Sequence, residues 1–498
     1  MNMNAPRFTV CRADFMLPFA KPDRSERLRD GYVLADGNTL LEVGRYTADV
    51  GRRLLETYGE HLRVMAPEPR FTTEEAIPRL RGVLLPGFVK AHGHDHEQPL
   101  IGVAKDEPLT AWLDHAVNPF TRFLSLQKDA LTELLGVSPQ LATYRMARLC
   151  DLHYGITASM VHHCNYNKYH LEAIAQANEA AGTKMIVAVG AQDRHYVAEI
   201  LDTPAEAIAR LDRILAKSDG YTRTSFCPGP DQFFSNSRAM LIPLKAWARE
   251  HDTLFHIHSA EEPNTTRWFK ESIEPGLTPV EYAESIGVLD AQTVLAHQVH
   301  CGPNDLEILA RTKTRIVHNP LANTILGSGM PPIIEMLAAG IPVAISTDGS
   351  GSADNQNILA AARLAAQYQK ALHQEASLLP SQTLLEMLTV VPAETLRLNQ
   401  GELAVGRQAD WVVLGLGRPN LVPTRLDNLT ENLIWAADGS EIEAVVASGR
   451  VLKEHGQVLP FLDGTTPAAI MEAVQVLSER FAEYRESAVE LRGTGAHR

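Results

Sequence analysis

The stretch Pro86–Glu97, PGFVKAHGHDHE, is an apolar run that ends in two histidines two residues apart. Side chains alternate along an extended chain, so His92 and His94 point to the same side. Neutral imidazole is the commonest metal ligand, and two on one side form half of a chelate. Such a pair can equally be structural. Its meaning depends on the sequence that follows.

Eight short, apolar, β-branched runs recur along the chain. They are Gly87–Ala91, Ala158–Val161, Met185–Val189, Thr224–Cys227, Leu254–Ile257, Val294–Ala296, Arg315–Val317 and Val343–Ser346. Helical patterns lie between them, at Pro139–His153, His170–Ala181, Pro204–Lys217 and Ser235–Glu250. Eight strands with helical crossovers predict an α/β fold, a (β/α)8 TIM-type barrel over residues 86–400, with a doubly wound open sheet as the alternative. In such a barrel the C-terminal strand ends ring one pocket, so residues distant in sequence converge there.

The flanks read differently. Residues 1–85 and 401–460 contain short strands and turns, such as DGYVLADGN and GRQADWVVLG, which predict a small β-sandwich domain built from both chain ends. Residues 48–62 read as a helix inserted into it. Residues 461–498 form a tail in which Thr466–Leu491 has apolar residues at helical spacing, predicting a helix docked on the surface.

A chain of 498 residues suits a large barrel plus a smaller domain. Its net charge of −14 repels phosphate backbones, so a nucleic-acid polymer is a poor substrate. The five cysteines, Cys11, Cys150, Cys164, Cys227 and Cys301, are scattered and odd in number, which argues against a disulfide framework. The N-terminus lacks a basic segment followed by an apolar run. No stretch reaches the roughly 20 apolar residues that span a bilayer. A cytoplasmic protein acting on a small molecule, without a membrane partner, is expected.

Three more strand ends carry ionisable groups. FHIHSAEE places His256 and His258 on one side, with Glu261 three residues beyond His258. LAHQVHC ends in His297, and VAISTDGSGS carries Asp348 just past its strand. A lone histidine on an apolar run is more often a satisfied core residue, and Asp before Gly is usually a turn former. Four such features on separate strand ends together point to a metal site. Three imidazoles and a carboxylate suit zinc, with iron(II) second. Bound metal lowers the pKa of water from about 15.7 to about 7. Glu261 is then placed to carry protons, help that is typically worth about 10²–10⁴ in rate.

PGFVKAHGH, HSAE, LAHQVH, VHNPLAN and STDGSGS together resemble the amidohydrolase superfamily, in the branch of adenosine-type and guanine-type deaminases and triazine hydrolases. GELAVGRQADWVVL and AVVASGRVL resemble its C-terminal β-domain. The resemblance spans roughly residues 30–460. It implies that His92, His94, His258 and Asp348 bind the metal, and that Asp348 also takes a proton from the attacking water. It further implies Glu261 as proton shuttle and His297 as hydrogen-bond donor to the water or tetrahedral oxygen, in contact with substrate. No lysine lies in the TSFCPGP strand, so the carboxylated lysine of binuclear relatives is absent and one divalent ion is expected. Dimers are frequent in this branch, which makes a homodimer an expectation.

Departures from the pattern bear on substrate. In DEPLTAWLDHAV the ribose-holding glutamate of adenosine-type enzymes is replaced by Ala111, before Trp112. Their substrate-binding histidine is replaced by Gly229 in CPGPDQFF. Trp112 reads as a flat wall or as core. His162 and Asn165 read as substrate contacts, because strand ends feed the pocket. Asp95, His96 and Glu97 read either as a solvated loop or as substrate contacts. The expected reaction is hydrolytic deamination of a small amino-substituted purine, pterin, pyrimidine or triazine without ribose. Alternatives are displacement of chloride, an alkylamine or an amide from a similar ring, or deamination of a nucleoside. A non-catalytic relative would have lost ligands, and none is lost.

Overall fold

The computed structural model describes residues 7–67, 76–163 and 165–495. Cys164 lies outside them, and the four described cysteines are free thiols. All eight expected runs form strands: β1 (Phe88–Lys90), β2 (Ile156–His163), β3 (Lys184–Ala191), β4 (Thr224–Pro230), β5 (Phe255–Ser259), β6 (Thr293–His297), β7 (Arg315–His318) and β8 (Val343–Ile345). They pair in parallel as two four-stranded sheets, in the orders β1-β2-β3-β4 and β5-β6-β7-β8. Nearly every strand residue is buried, which is why these strands read as continuous apolar runs rather than alternating ones.

The sheets approach each other at both margins. Past β4, the His258 N–H of β5 donates to the Asp231 carbonyl at 3.0 Å. Past β8, the Ser346 hydroxyl donates to the His92 carbonyl at 2.6 Å, and the His92 N–H approaches the Ser346 oxygen at 3.2 Å. The strand ends that bear His92, His258 and Asp348 are thereby brought side by side.

Crossover helices begin where the sequence supplies caps. Ser138 caps Pro139–His153 by accepting from the Leu141 N–H, with proline at the first helical position. Thr203 and Glu206 form a reciprocal capping box at Pro204–Leu215.

The two chain ends merge in one nine-stranded sheet. Phe8–Met16, Leu28–Asp36, Thr39–Arg45, Leu62–Val64 and Leu80–Pro86 come from the N-terminal side. Trp411–Gly415, Ile442–Ala447, Arg450–Glu454 and Gln457–Val458 come from the C-terminal side. They meet where Leu80–Pro86 pairs antiparallel with Trp411–Gly415, Leu84 opposite Val413. The inserted helix, Ala48–Tyr58, is capped by Thr47 and buries Leu54 with Val10, Leu34 and Ile77.

The C-terminal helix, Pro467–Gly495, buries Ile470, Leu477 and Phe481. Leu477 and Phe481 join a cluster with Trp112, Val117, Phe120 and Phe123. This helix backs one wall of the cavity described next. Among the described residues, no helix is long and apolar enough to cross a membrane.

Candidate metal centre and cavity

His92, His94, His258 and Asp348 converge from three strand ends. His94 Nε2 lies 3.0 Å from His258 Nε2 and 3.5 Å from Asp348 Oδ1, and His92 Nε2 lies 3.2 Å from the same oxygen. A tetrahedral zinc with Zn–N bonds of about 2.0–2.1 Å needs donors about 3.3 Å apart, which these separations bracket. His92 Nε2 is buried without any hydrogen-bond partner. An orphaned imidazole nitrogen aimed at two others and a carboxylate fits a cation.

The second nitrogens fix the ring orientations. His94 Nδ1 donates to the His162 carbonyl at 2.9 Å, and His258 Nδ1 to the Asp231 carbonyl at 2.6 Å. Carbonyls only accept, so both Nδ1 atoms carry the proton and both Nε2 lone pairs face the centre. His92 Nδ1 lies 3.1 Å from His256 Nε2, and these rings stack. Burial, and then the neighbouring imidazoles, push the His92 and His94 pKa values well down, which keeps the rings neutral as ligation requires.

His297 has the opposite tautomer. Its Nδ1 accepts from the Asn323 amide at 3.0 Å, so Nε2 carries the proton. That N–H faces Glu261 Oε2 and Asp348 Oδ2, both at 3.7 Å. Glu261 is fully buried. Burial, and then the charges of Asp348, Asp231 and Glu262, hold its pKa well above the usual carboxylate range. Burial likewise pushes Asp348 up to about 7, against the pull of the Gly349 N–H and Lys90.

These groups form the floor of a narrow cavity. Leu109, Trp112, Leu113, Val117 and Leu326 make an apolar wall, and His96, Glu97, Tyr196, Gln232 and Ser352 add polar groups. Trp112 is therefore both core and wall. His162 does not line the cavity. Its Nε2 donates to the Gly229 carbonyl at 2.7 Å, and its ring lies edge-on to His258 at 4.5 Å, behind the ligand. Asn165 is also off the lining and accepts from the Asn167 N–H at 3.1 Å, starting a short turn. Ala111 is absent from the lining as well. At Gly229 any Cβ would meet the Ala188 backbone at 2.7 Å, so no side chain fits.

The loop Asp95–Glu97 is buried, contrary to the solvated reading. Asp95 pairs with Lys90 at 3.1 Å and with Arg148. Glu97 Oε2 accepts from the Ser352 N–H (2.8 Å) and hydroxyl (2.9 Å) and from the Gly351 N–H (3.1 Å). Sequence reasoning missed the cavity contacts of Tyr196, Gln232 and Ser352, which carry no spacing signal.

The chain belongs to the amidohydrolase family, which it matches over residues 83–452. It is a hydrolase of carbon–nitrogen bonds other than peptide bonds. A 5-methylthioadenosine/S-adenosylhomocysteine deaminase of Haloarcula marismortui is 30% identical over 417 residues, 83% of this chain and 88% of that protein. A 5'-deoxyadenosine deaminase of Methanothermobacter thermautotrophicus is 28% identical over 376 residues, 76% of this chain and 83% of that protein. An adenosine deaminase from Xanthomonas campestris, solved with bound zinc, superposes with a TM-score of 0.80 at 20% identity, covering 96% of this chain and 99% of that one. The fold is thus shared with known enzymes of the family.

Proposed function

We propose that this chain is a hydrolytic deaminase that releases ammonia from an amino-substituted N-heterocycle at a single-metal centre. The carrying observation is the convergence of three imidazole Nε2 atoms and the Asp348 carboxylate beside a buried Glu261 and the His297 N–H. In this reading the eight parallel strands of residues 86–400 close into a (β/α)8 barrel. Residues 1–85 and 401–460 fold as a small β-sandwich, and 461–498 as the terminal helix and tail. The enzyme is cytoplasmic, with zinc as first choice and iron(II) as second, and homodimeric like many of its branch.

His92, His94, His258 and Asp348 hold the ion, which when bound supplies Lewis acidity that brings the pKa of water from about 15.7 to about 7. Asp348 accepts a proton from the attacking water at its carboxylate. As the oxygen adds to the ring carbon, the C=N electron pair moves to the ring nitrogen, which takes one of the water's protons, and the His297 Nε2–H donates to the added oxygen, an electrostatic role often worth about 3 kcal/mol. Glu261, kept protonated by burial and by its acidic neighbours, delivers a proton to the exocyclic amine. The carbon–nitrogen bond then breaks and ammonia leaves. Water supplies both the new oxygen and the protons, so the reaction balances. The apolar wall at Trp112, Leu113 and Val117 suits the flat face of a ring.

No carboxylate at position 111 and no imidazole at position 229 is present to hold a ribose hydroxyl, which favours a ring without ribose. A nucleoside with an apolar 5'-substituent is the second reading. It is favoured by the apolar wall and by the names of the two curated relatives. Ammonia release is the test, with zinc-loaded protein and guanine, adenine, a pterin and an aminotriazine set against adenosine and its 5'-thioether. Faster turnover of the free bases supports the first reading and a preference for the thioether supports the second. Release of chloride or an alkylamine from a triazine without ammonia from any substrate would overturn deamination.

A further inference from the structure

We propose that Lys90 and Gln356 form a positioning device that holds Asp348 in register with His92 and His94. This rests on the metal-centre reading above. Lys90 ends β1 two residues before His92, and its side chain is buried. An ammonium has three N–H donors, and this one has three acceptors: Asp95 Oδ1 at 3.1 Å, Asp151 Oδ1 at 2.9 Å and Gln356 Oε1 at 3.1 Å. Asp95 follows His94 directly, so the first contact pins the loop that carries that ligand.

The third contact reaches the other side of the centre. Gln356 Oε1 also accepts from the Thr347 hydroxyl at 2.7 Å. With its oxygen held by two donors, the carboxamide can only turn its NH₂ the other way. That NH₂ donates to the Asp348 backbone carbonyl at 3.1 Å. Asp348 needs such a hold, because its φ is +67°, a left-handed conformation that costs a non-glycine residue energy. A different backbone there would aim the carboxylate elsewhere.

Gly93, between the two histidines, shows how close the parts approach. A Cβ on Gly93 would lie 3.0 Å from the Asp348 carbonyl oxygen and 3.2 Å from Cδ and Cε of Lys90. The lysine stem therefore runs beneath the His92–His94 turn while its head holds the amide that holds Asp348.

The charges explain why the device can sit in the interior. Lys90 and Arg148 face Asp95 and Asp151, with Arg148 NH2 2.9 Å from Asp151 Oδ2, so the quartet is neutral. Neutral buried quartets of this kind add little net stability compared with apolar packing. What the quartet does provide is a fixed direction for each hydrogen bond. Partners behind metal ligands typically change metal affinity about 10–100-fold when removed.

The experiment measures zinc affinity of the full-length protein by competition with a chromophoric chelator, and thermal stability of the zinc-free protein. Gln356→Met removes the amide without stranding a charge. Gln356→Glu keeps an oxygen for Lys90 and Thr347 but presents a second oxygen to the Asp348 carbonyl. Both should bind zinc about 10–100-fold more weakly than wild type, and the zinc-free form of each, left with unpaired buried groups, should melt lower but remain folded. Gln356→Glu decides against a bridge that merely supports Lys90, since such a bridge would survive it. Where Lys90→Met folds, adding Gln356→Met to it should cost no further affinity, because both act along one path. Gln356 variants that match wild-type zinc affinity overturn the positioning role alone. Wild-type protein that binds no zinc overturns the metal centre as well.

Discussion

Three histidines at the centre have their protonated nitrogen chosen by the partner behind them. His94 and His258 donate Nδ1–H to carbonyls and keep Nε2 free, whereas His297 receives the Asn323 amide and keeps its proton on Nε2. Identical side chains are thereby divided into two that turn a lone pair to the centre and one that turns an N–H to it. Glu261 differs from all of them, because burial and the adjacent Asp348 favour its protonated form. Glu261→Gln should therefore retain the metal, since the residue faces His297 rather than the Nε2 cluster. Turnover should fall by at least about 10², the lower bound for general acid–base help. His92→Ala, by contrast, should lose the metal outright. Metal analysis beside turnover separates the two variants, and a metal-free Glu261→Gln protein would mean that a ligand had been taken for a shuttle. The strand-end residues were legible in sequence because period-two spacing and position after apolar runs are local signals. The hydrogen bonds that assign their tautomers come from residues 26 to 68 positions away, which spacing cannot reveal.

At the scale of elements, the loop after β8 is held from two directions, by Gln356 at the Asp348 carbonyl and by Glu97 at Gly351 and Ser352. A Cβ at Gly349 would lie 2.0 Å from Glu97 Oε2. Gly349→Ala must displace that carboxylate and forfeit its hydrogen bonds, so it should destabilise by about 1–3 kcal/mol. Denaturant unfolding measures this, and wild-type stability would mean that Glu97 moves aside freely. A second element-level case lies at the start of the Trp411–Gly415 strand, where burial pushes the Asp410 carboxyl up to about 7 from its usual 3.8. The folded state then binds a proton that the unfolded chain has released. The contribution of Asp410 is full below about pH 4 and is lost as pH rises through about 7. Asp410→Asn should flatten that part of the stability profile, and an unchanged difference between pH 5 and pH 8 would refute the assignment. The eight strands were readable because parallel strands buried on both faces are continuously apolar. The sequence left the Asp95–Glu97 loop open between a solvated and a substrate-contacting reading, because the groups that pair with it, Arg148 and Ser352, lie 53 and 255 residues away.

Across the whole molecule, the cavity is backed by a helix that begins more than a hundred residues after Asp348. Phe481 packs edge-on against Phe120 at 5.0 Å and tilted against Phe123 at 5.5 Å. The same cluster contains Leu109, Trp112, Val117 and Leu326, which face the cavity. Ser478 adds a hydrogen bond to the Pro99 carbonyl at 3.0 Å, tying the helix to the segment that follows His94. Of the candidate ligands, His258 lies on β5 and His92, His94 and Asp348 lie just past the ends of β1 and β8, outside this aromatic cluster. Removing the Phe481 ring should therefore loosen the apolar wall and leave the centre intact. Phe481→Ala leaves a cavity that typically costs about 3–5 kcal/mol in stability. In protein that remains folded at the assay temperature, KM for the heterocycle should rise several-fold while kcat and zinc content stay near wild type. That split follows because a wall that holds the ring acts in the ground state and the transition state alike. A fall in kcat at unchanged KM would place the influence of the helix at the reacting atoms instead. Unchanged kinetics would show that the wall stands without it.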